Sequence, residues 1–123
     1  MAATLTTTGP YTIDTVNGVH THFPQPTFRF CSTIITTPST YQTATPDSSV
    51  LDFGGQLSEL WIVNLGSNDL VFQWKEQWGT NVDGGYIPGG SKTPVRIPKC
   101  FKTGLAVRSA DSALATTCVV FGY

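Results

Sequence analysis

The sequence predicts an all-β protein: an antiparallel β-sandwich or jelly-roll-like domain with an extended N-terminal arm. No window of the chain has apolar residues at helical spacing for three turns. Runs of β-branched and aromatic residues instead alternate with Gly, Pro, Asn and Asp clusters, a pattern typical of strands joined by turns. About eight strands follow at regular spacing, which favours a sandwich. With 123 residues, the chain has room for one domain, predicted at 27–123, and an arm at 1–26.

The arm begins with a Thr- and Ala-rich stretch, residues 1–10, which has no reason to become ordered by itself. In the following "YTIDTVNGVHTHF", the dipeptide Asn17-Gly18 predicts a two-residue β-turn, because both turn positions need a positive φ. We therefore expect a β-hairpin in this region. We also expect the arm to contact a neighbouring molecule through its apolar residues Leu5, Tyr11, Ile13 and Val16.

The first half of the domain is predicted to hold four strands. "TFRFCSTIITT" reads as one strand with Phe28, Phe30 and Ile34 on one face, and the polar, Pro-containing residues 38–49 read as a loop. "SVLDF" is predicted to be a short strand ended by Gly54-Gly55. "LSELWIVNL" and "LVFQWKEQW" then flank the turn "GSND", which predicts that they form a hairpin.

The second half is predicted to end the domain with three more strands. "YIPGGSKTPVRI" contains a turn and a strand at a sheet edge, because Pro94 has no N–H to donate to a central ladder. "GLAVRS" and "ALATTCVVFGY" are expected to pair with each other around Ser109–Ser112.

The strand around residues 60–64 is apolar on both faces. Leu60 and Ile62 alternate with Trp61 and Val63, whereas a strand with one solvated face would have a polar set. The outer face should therefore be covered by the loop at 38–49, by the arm or by another chain. Charged residues make up only 12% of the chain, about half the usual share, as expected of a subunit whose surface is covered by neighbours.

Composition argues against several other classes of protein. The net charge of −1 gives no reason to bind nucleic acid or an acidic membrane. No apolar run is long enough to span a bilayer, and the first residues do not predict a signal peptide. Three cysteines at irregular spacing argue against disulfides, and Cys31 and Cys118 are predicted to be buried small hydrophobes.

No catalytic or metal site is predicted, and no cofactor. His20 and His22 would project from one face of a strand, and they are the one metal-binding alternative. A closed site needs four or more donors, which only several chains meeting on an axis would supply. Neither histidine is paired by sequence with a nucleophile, and the acidic residues mostly fall at turns and strand ends. The protein is therefore expected not to be an enzyme.

The aromatic residues of the hairpin allow two interpretations. Trp74, Trp78 and Tyr86 would form a sugar-binding platform, with the polar partners Gln73, Gln77 and Asp83 nearby. Alternatively, Trp61 and Trp74 pack in the core, and Trp78 contacts another subunit. Because aromatic residues are enriched at protein interfaces, we favour the second interpretation, with Trp78 and Tyr86 as interface residues.

The C-terminal half resembles the small all-β virion proteins of tailed bacteriophages. The resemblance rests on "LWIVNLGSNDLVFQW", "GYIPGGSKTPVRIP" and "GLAVRSADSALATTCVVFGY", and covers roughly residues 59–123. It is a pattern of strands and turns that ends at an aromatic C-terminus. It implies a capsid decoration or cement protein, commonly a trimer, that binds the outside of the head.

The expected function is therefore that of a non-enzymatic structural protein of a phage virion. Its partners would be the major capsid protein and further copies of itself, most simply as a homotrimer. It would be assembled in the host cytoplasm and reside on the capsid surface. The alternatives are a lectin-like carbohydrate-binding module and a component of a tail or head fibre.

Overall fold

The computed structural model describes residues 5–8, 11–14 and 28–123 of the chain. These residues form nine strands and one short 3-10 helix at Lys75–Gln77. The strands are β1 Leu5–Thr8, β2 Tyr11–Asp14, β3 Phe30–Cys31, β4 Ile35–Thr36, β5 Val50–Asn64, β6 Leu70–Trp74, β7 Gly85–Ile87, β8 Val95–Ser109 and β9 Thr117–Gly122. Within the described residues, no helix has the length and apolar character needed to cross a membrane.

The N-terminal region contains one pair of antiparallel strands, which precedes the predicted turn at Asn17-Gly18 in the sequence. β1 pairs antiparallel with β2, with Leu5 opposite Asp14 and Thr8 opposite Tyr11. β1 therefore lies within the stretch that was expected not to become ordered by itself, and it is paired with β2. The predicted turn at Asn17-Gly18 and the predicted contact residue Val16 lie outside the described residues, as do His20 and His22.

The other seven strands form one antiparallel sheet in the order β3-β9-β5-β8-β6-β7, with β4 also paired to β9. β5 and β8 have 15 residues each and run through the whole sheet. The first half-sheet comprises β3, β4, β9, residues 59–64 of β5 and residues 95–98 of β8. The second half-sheet comprises residues 50–52 of β5, residues 104–109 of β8, β6 and β7.

The sheet bends where β5 and β8 lose their regular register, between Asp52 and Glu59. Gly54, predicted to end a strand, has a φ of +71° at this bend, and the strand continues past it. The Arg29 guanidinium holds the bend from the side, with Nη1 3.3 Å from the Phe53 carbonyl oxygen and Nη2 2.5 Å from that of Gln56. β5 pairs with β8 again at Leu57. Residues 50–64 are therefore one strand that belongs to both half-sheets, not two separate strands.

The two half-sheets enclose a hydrophobic core. The first half-sheet contributes Ile35, Leu60, Ile62, Cys118 and Val120, and the second contributes Leu51, Leu70, Phe72, Ile87, Leu105 and Val107. This arrangement confirms the predicted antiparallel, sandwich-like all-β class. The strand order is that of one continuous bent sheet, and it does not establish the jelly-roll alternative.

Two predicted hairpins do not form. β5 lies between β9 and β8, so it does not pair with β6, and β8 lies between β5 and β6, so it does not pair with β9. The connections at 65–69 and 110–116 instead cross from one half-sheet to the other. The alternation of apolar residues shows which face of a strand is buried, but not which strand is its neighbour. Two consecutive strands can bury their apolar faces either as a hydrogen-bonded pair in one half-sheet or by facing each other across the core.

The predicted strand at 27–37 is divided into β3 and β4. Phe30 packs against the core and Ile35 is fully buried, although the two residues are an odd number of positions apart. A continuous strand would place two such residues on opposite faces, so the alternation must slip between them. As a result Ile34 is 68% exposed. Cys31 is exposed rather than buried as predicted, whereas Cys118 is buried.

Candidate functional site

The side of the first half-sheet that faces away from the core carries an aromatic cluster. The Trp61 ring stacks on Phe121, with centroids 5.7 Å apart and planes 11° from parallel. Phe28 meets both rings edge-on, at 5.1 Å from Trp61 and 4.9 Å from Phe121. Tyr123 joins them, with its centroid 5.8 Å from that of Trp61. We call these four residues, with Val63 and Val119, the outer aromatic face.

Strand register explains why these side chains meet. Trp61 on β5 is opposite Phe121 on β9, and Val63 is opposite Val119. Residues two apart along a strand share a face, so two neighbouring strands place their apolar residues side by side. All of the residues of the outer aromatic face are partly exposed. This half-sheet therefore has an apolar face on each side, of which only the inner one forms the core.

A charged pair lies beside the outer aromatic face. Arg96, opposite Trp61 on β8, donates to Glu59 through Nε at 3.0 Å and Nη2 at 2.7 Å. The hydrogen bond from Arg96 holds the pKa of the Glu59 carboxyl below its usual value, and the same bond raises the pKa of Arg96. The charges are therefore paired at the margin, and the centre of the face remains apolar.

The loop at 38–49 does not cover this face, which excludes one of the three predicted covers. The Tyr41 hydroxyl donates to Asp83, and the Pro38 carbonyl accepts a hydrogen bond from the Ser109 backbone N–H. Both contacts belong to the second half-sheet and its loops. The arm and another chain remain the two predicted covers.

The tryptophans have different environments. Trp74 packs against the core, as predicted. Trp61 was expected in the core but lies on the outer aromatic face, because its strand positions Leu60 and Ile62 inward instead. Trp78 follows the 3-10 helix, where the Lys75 ammonium lies 5.6 Å from its ring centroid, and its buried Nε1 has no partner among the described residues. Its role in an interface stays a prediction.

The predicted sugar platform is not a single surface. Tyr86 is 56% exposed and donates its hydroxyl to Asp69, before β6, whereas Trp78 lies after the other end of that strand. Of the predicted polar partners, Gln73 and Asp83 line a separate cleft, without Trp74, Trp78 or Tyr86. Tyr86 remains a predicted interface residue.

The described residues include no group of three or more His, Cys, Asp or Glu side chains placed to hold a metal ion. The buried Cys118 thiol has its pKa raised to about 12 by desolvation, so it is not an activated nucleophile near neutral pH. Cys31 and Cys100 are free as well.

Sequence reasoning missed Phe28, Phe121 and Tyr123 as surface residues. The signal was present in β9, where Val119, Phe121 and Tyr123 alternate with Cys118, Val120 and Gly122. Like residues 60–64, this stretch has no polar face. Two strands with this property become neighbours in the sheet, and the pairing was the part that the sequence did not reveal.

Comparison of the chain with protein-family models, curated proteins and solved structures gives no match.

Proposed function

We propose that this protein is a non-enzymatic structural subunit of a tailed-phage virion that decorates the outside of the head. The observation that carries the proposal is the outer aromatic face, where Trp61 and Phe121 stack on the side of the sheet away from the core. An apolar surface of this kind is costly to leave in water and is typical of a contact with another protein.

The face has the composition of a protein interface. Its centre is aromatic, and its margin carries a charged pair in which Arg96 binds Glu59 with two hydrogen bonds. Interfaces are commonly arranged in this way, with aromatic residues in a dry centre and polar groups at a hydrated rim. The partner that we propose for this face is the major capsid protein of the shell.

The N-terminal hairpin supplies a second contact in this proposal. β1 and β2 form a sheet of two strands that is separate from the seven-stranded one. Its edges offer main-chain hydrogen bonds to a neighbouring subunit, with Leu5, Tyr11 and Ile13 among the contact residues. Two linked contacts raise the overall affinity well above that of either one. A homotrimer would multiply this effect further.

The number of copies in purified particles tests the proposal. We expect quantitative mass spectrometry to find this protein at a fixed, high ratio to the major capsid protein. A handful of copies per particle would instead indicate a tail or head fibre, and absence from particles would reject the virion assignment.

Reconstitution tests the surface. Shells lacking the protein should bind the wild-type chain, and Phe121→Ser should weaken that binding. Leu114→Ser is a matched control, because Leu114 is an apolar side chain, 48% exposed, that lies outside the outer aromatic face. Equal binding of the two variants would exclude this face as the attachment surface.

A further inference from the structure

A polar cleft on the second half-sheet is separate from the outer aromatic face. It has a volume of about 530 Å³ and lies between the loop at 39–43 and the loop at 79–83. Its lining includes Ser39, Tyr41, Thr43, Gln73, Asp83 and Arg108. Small-molecule sites typically have volumes of roughly 300–1,000 Å³, so the cleft has room for a ligand of that class.

Gln73 anchors one side of the cleft to the sheet. The residue is on β6 and is 1% exposed, and its Nε2 donates to the carbonyl oxygens of Thr80 at 2.9 Å and Val82 at 3.1 Å. These two bonds fix the position of the loop at 79–83. Because both amide protons are used, the group that Gln73 can still offer to a ligand is its carbonyl oxygen.

Tyr41, Asp83 and Arg108 form a connected wall that links the loop at 39–43 to the loop at 79–83. The Tyr41 hydroxyl donates to Asp83, and Arg108 Nη2 donates to the same carboxylate at 3.2 Å. The Arg108 guanidinium also lies 5.2 Å from the Tyr41 ring centroid. Each side chain is held by the other two, so the wall is arranged before any ligand binds.

The charges in this wall cancel. Among the described residues that line the cleft, Asp83 and Arg108 carry the charges, and they are bound to each other. Burial, followed by the hydrogen bond to Asp83, raises the pKa of the Tyr41 phenol, which therefore remains neutral under physiological conditions. The lining as a whole offers hydroxyl, amide and paired charged groups beside one aromatic ring.

We propose that this cleft binds a neutral saccharide. A sugar unit has hydroxyl groups that need both donors and acceptors, and C–H groups that pack against an aromatic ring. The hydroxyls of Ser39 and Thr43, the Gln73 carbonyl oxygen and the Tyr41 ring supply these contacts. A charged ligand fits less well, because an anion meets Asp83, a cation meets Arg108, and either one must compete with an existing ion pair.

This inference does not depend on the attachment of the protein to a shell. The cleft is built from two loops and from β6 and β8 of the second half-sheet, and the outer aromatic face belongs to the first. It also differs from the predicted platform, because the aromatic residue involved is Tyr41. On a virion, such a site would allow each attached subunit to bind glycan weakly, with affinity multiplied by the number of copies.

NMR titration of the full ¹⁵N-labelled chain tests the inference. The probes are glucose, galactose, mannose, N-acetylglucosamine, lactose and maltose, with 3′-sialyllactose and glucosamine as charged comparisons. We expect at least one neutral sugar to shift the amide signals of residues 39–43, 79–83 and 108 in a saturable way. No saturable shift with any neutral sugar, or saturable shifts only with a charged one, would overturn the proposal.

Two variants locate the site, with one matched control. Tyr41→Ala should weaken binding of the neutral sugar by about tenfold or more, because ring contacts and the order of the wall are both lost. Asn81→Ala removes a lining side chain from an exposed loop without touching the core, and should also weaken binding. Tyr86→Ala removes a tyrosine that also binds an aspartate, but lies outside the cleft, and should leave binding unchanged. Unchanged binding in both cleft variants would contradict the proposal, even if shell attachment is normal.

Discussion

Trp61 and Phe121 are cross-strand neighbours whose rings lie nearly parallel, 5.7 Å apart, on the side of the sheet opposite the core. Two strands that are apolar on both faces are thus adjacent, at the centre of the first half-sheet. The inner set of each strand builds the core, and the outer set builds a surface. This relationship explains how a chain with so few charges folds around one core and still has a second apolar face outside it.

The stacked pair should stabilise the fold only modestly, because both rings are partly exposed. In a double-mutant cycle of Trp61→Ala and Phe121→Ala, we expect a coupling energy of about 0.5–1.5 kcal/mol. Urea unfolding of the four proteins measures it. A coupling near zero would mean that the rings do not stack in solution. Losses above roughly 4 kcal/mol for either single variant would assign the rings to the core instead.

Deletion of residues 1–16 should separate folding from attachment. Residues 28–123 enclose their own core between the two half-sheets, so we expect the truncated chain to unfold cooperatively with a melting temperature near that of the full chain. Its binding to shells should be lost with the arm. If the truncated chain binds shells as tightly as the full one, the arm contacts at Leu5, Tyr11, Ile13 and Val16 are wrong.

The sequence was sufficient for the fold class and for most strand positions, because period-two patterns and turn residues are local signals. It was not sufficient for pairing. Leu60 and Leu70 were assigned to one hairpin, yet β5 and β6 do not pair. The segments that hold these two residues lie in different half-sheets and meet in the core. A loop such as "GSND" is compatible with either arrangement, and the choice depends on long-range packing that no local window contains.

The candidate sites illustrate the same limit. Gln73 and Asp83 were singled out as polar partners of a sugar, and both line the cleft. Tyr41 was not, because it lies in a polar loop 42 residues before Asp83 with no local pattern to mark it. Conversely, Trp74, Trp78 and Tyr86 were grouped as one sugar-binding platform because they are close in sequence. Of these three, Trp74 packs against the core, so closeness in sequence did not place them on a common surface.

Asn64 is a buried polar residue whose side chain makes hydrogen bonds to the two loops at 65–69 and 110–116. Its Nδ2 donates to the Asn68 carbonyl at 2.8 Å, and its Oδ1 accepts from Thr116 Oγ1 at 2.7 Å and the Gly66 N–H at 3.1 Å. Asn64→Ala leaves these groups unpaired, so we expect a loss of roughly 2–4 kcal/mol in the free energy of unfolding.

Asn68→Ala is the matched control for Asn64→Ala. The Asn68 side chain makes an exposed bond to the Ala115 carbonyl at 2.8 Å, and its loss should cost about 1 kcal/mol or less. Urea unfolding measures both variants. Equal losses in the free energy of unfolding would show that the buried hydrogen bonds of Asn64 stabilise the fold no more than the exposed bond of Asn68.

Phe101 has an unfavourable backbone conformation that a glycine would relieve. Its φ is +51°, in the left-handed region, and its side chain is 55% exposed at the bend of β8. Phe101→Gly should therefore stabilise the protein by about 0.5–1 kcal/mol, because backbone strain is removed at little cost in buried area. Phe101→Ala keeps the left-handed conformation in a residue with a Cβ, and should give no such gain. If both variants are more stable than the wild type, the gain in stability comes from removing the exposed phenyl ring and not from relieving backbone strain.

Cys118 should make the protein less stable at alkaline pH. Burial raises the pKa of its thiol from 9.0 to about 12 in the folded state. Above pH 9 the unfolded chain loses this proton while the folded chain keeps it, so the folded state binds more protons and the free energy of unfolding falls as the pH rises. Between about pH 8 and pH 10.5 this thiol should account for a loss of roughly 1–2 kcal/mol.

The variant Cys118→Ala, which cannot ionise, tests this pH dependence. It should be less stable at neutral pH because of the smaller side chain, but its stability should decline less steeply as the pH rises. Urea unfolding at several pH values, with Cys31→Ala as the control for an exposed thiol, measures the difference. If wild type and Cys118→Ala decline in parallel, the thiol is not protected from ionisation in the folded protein.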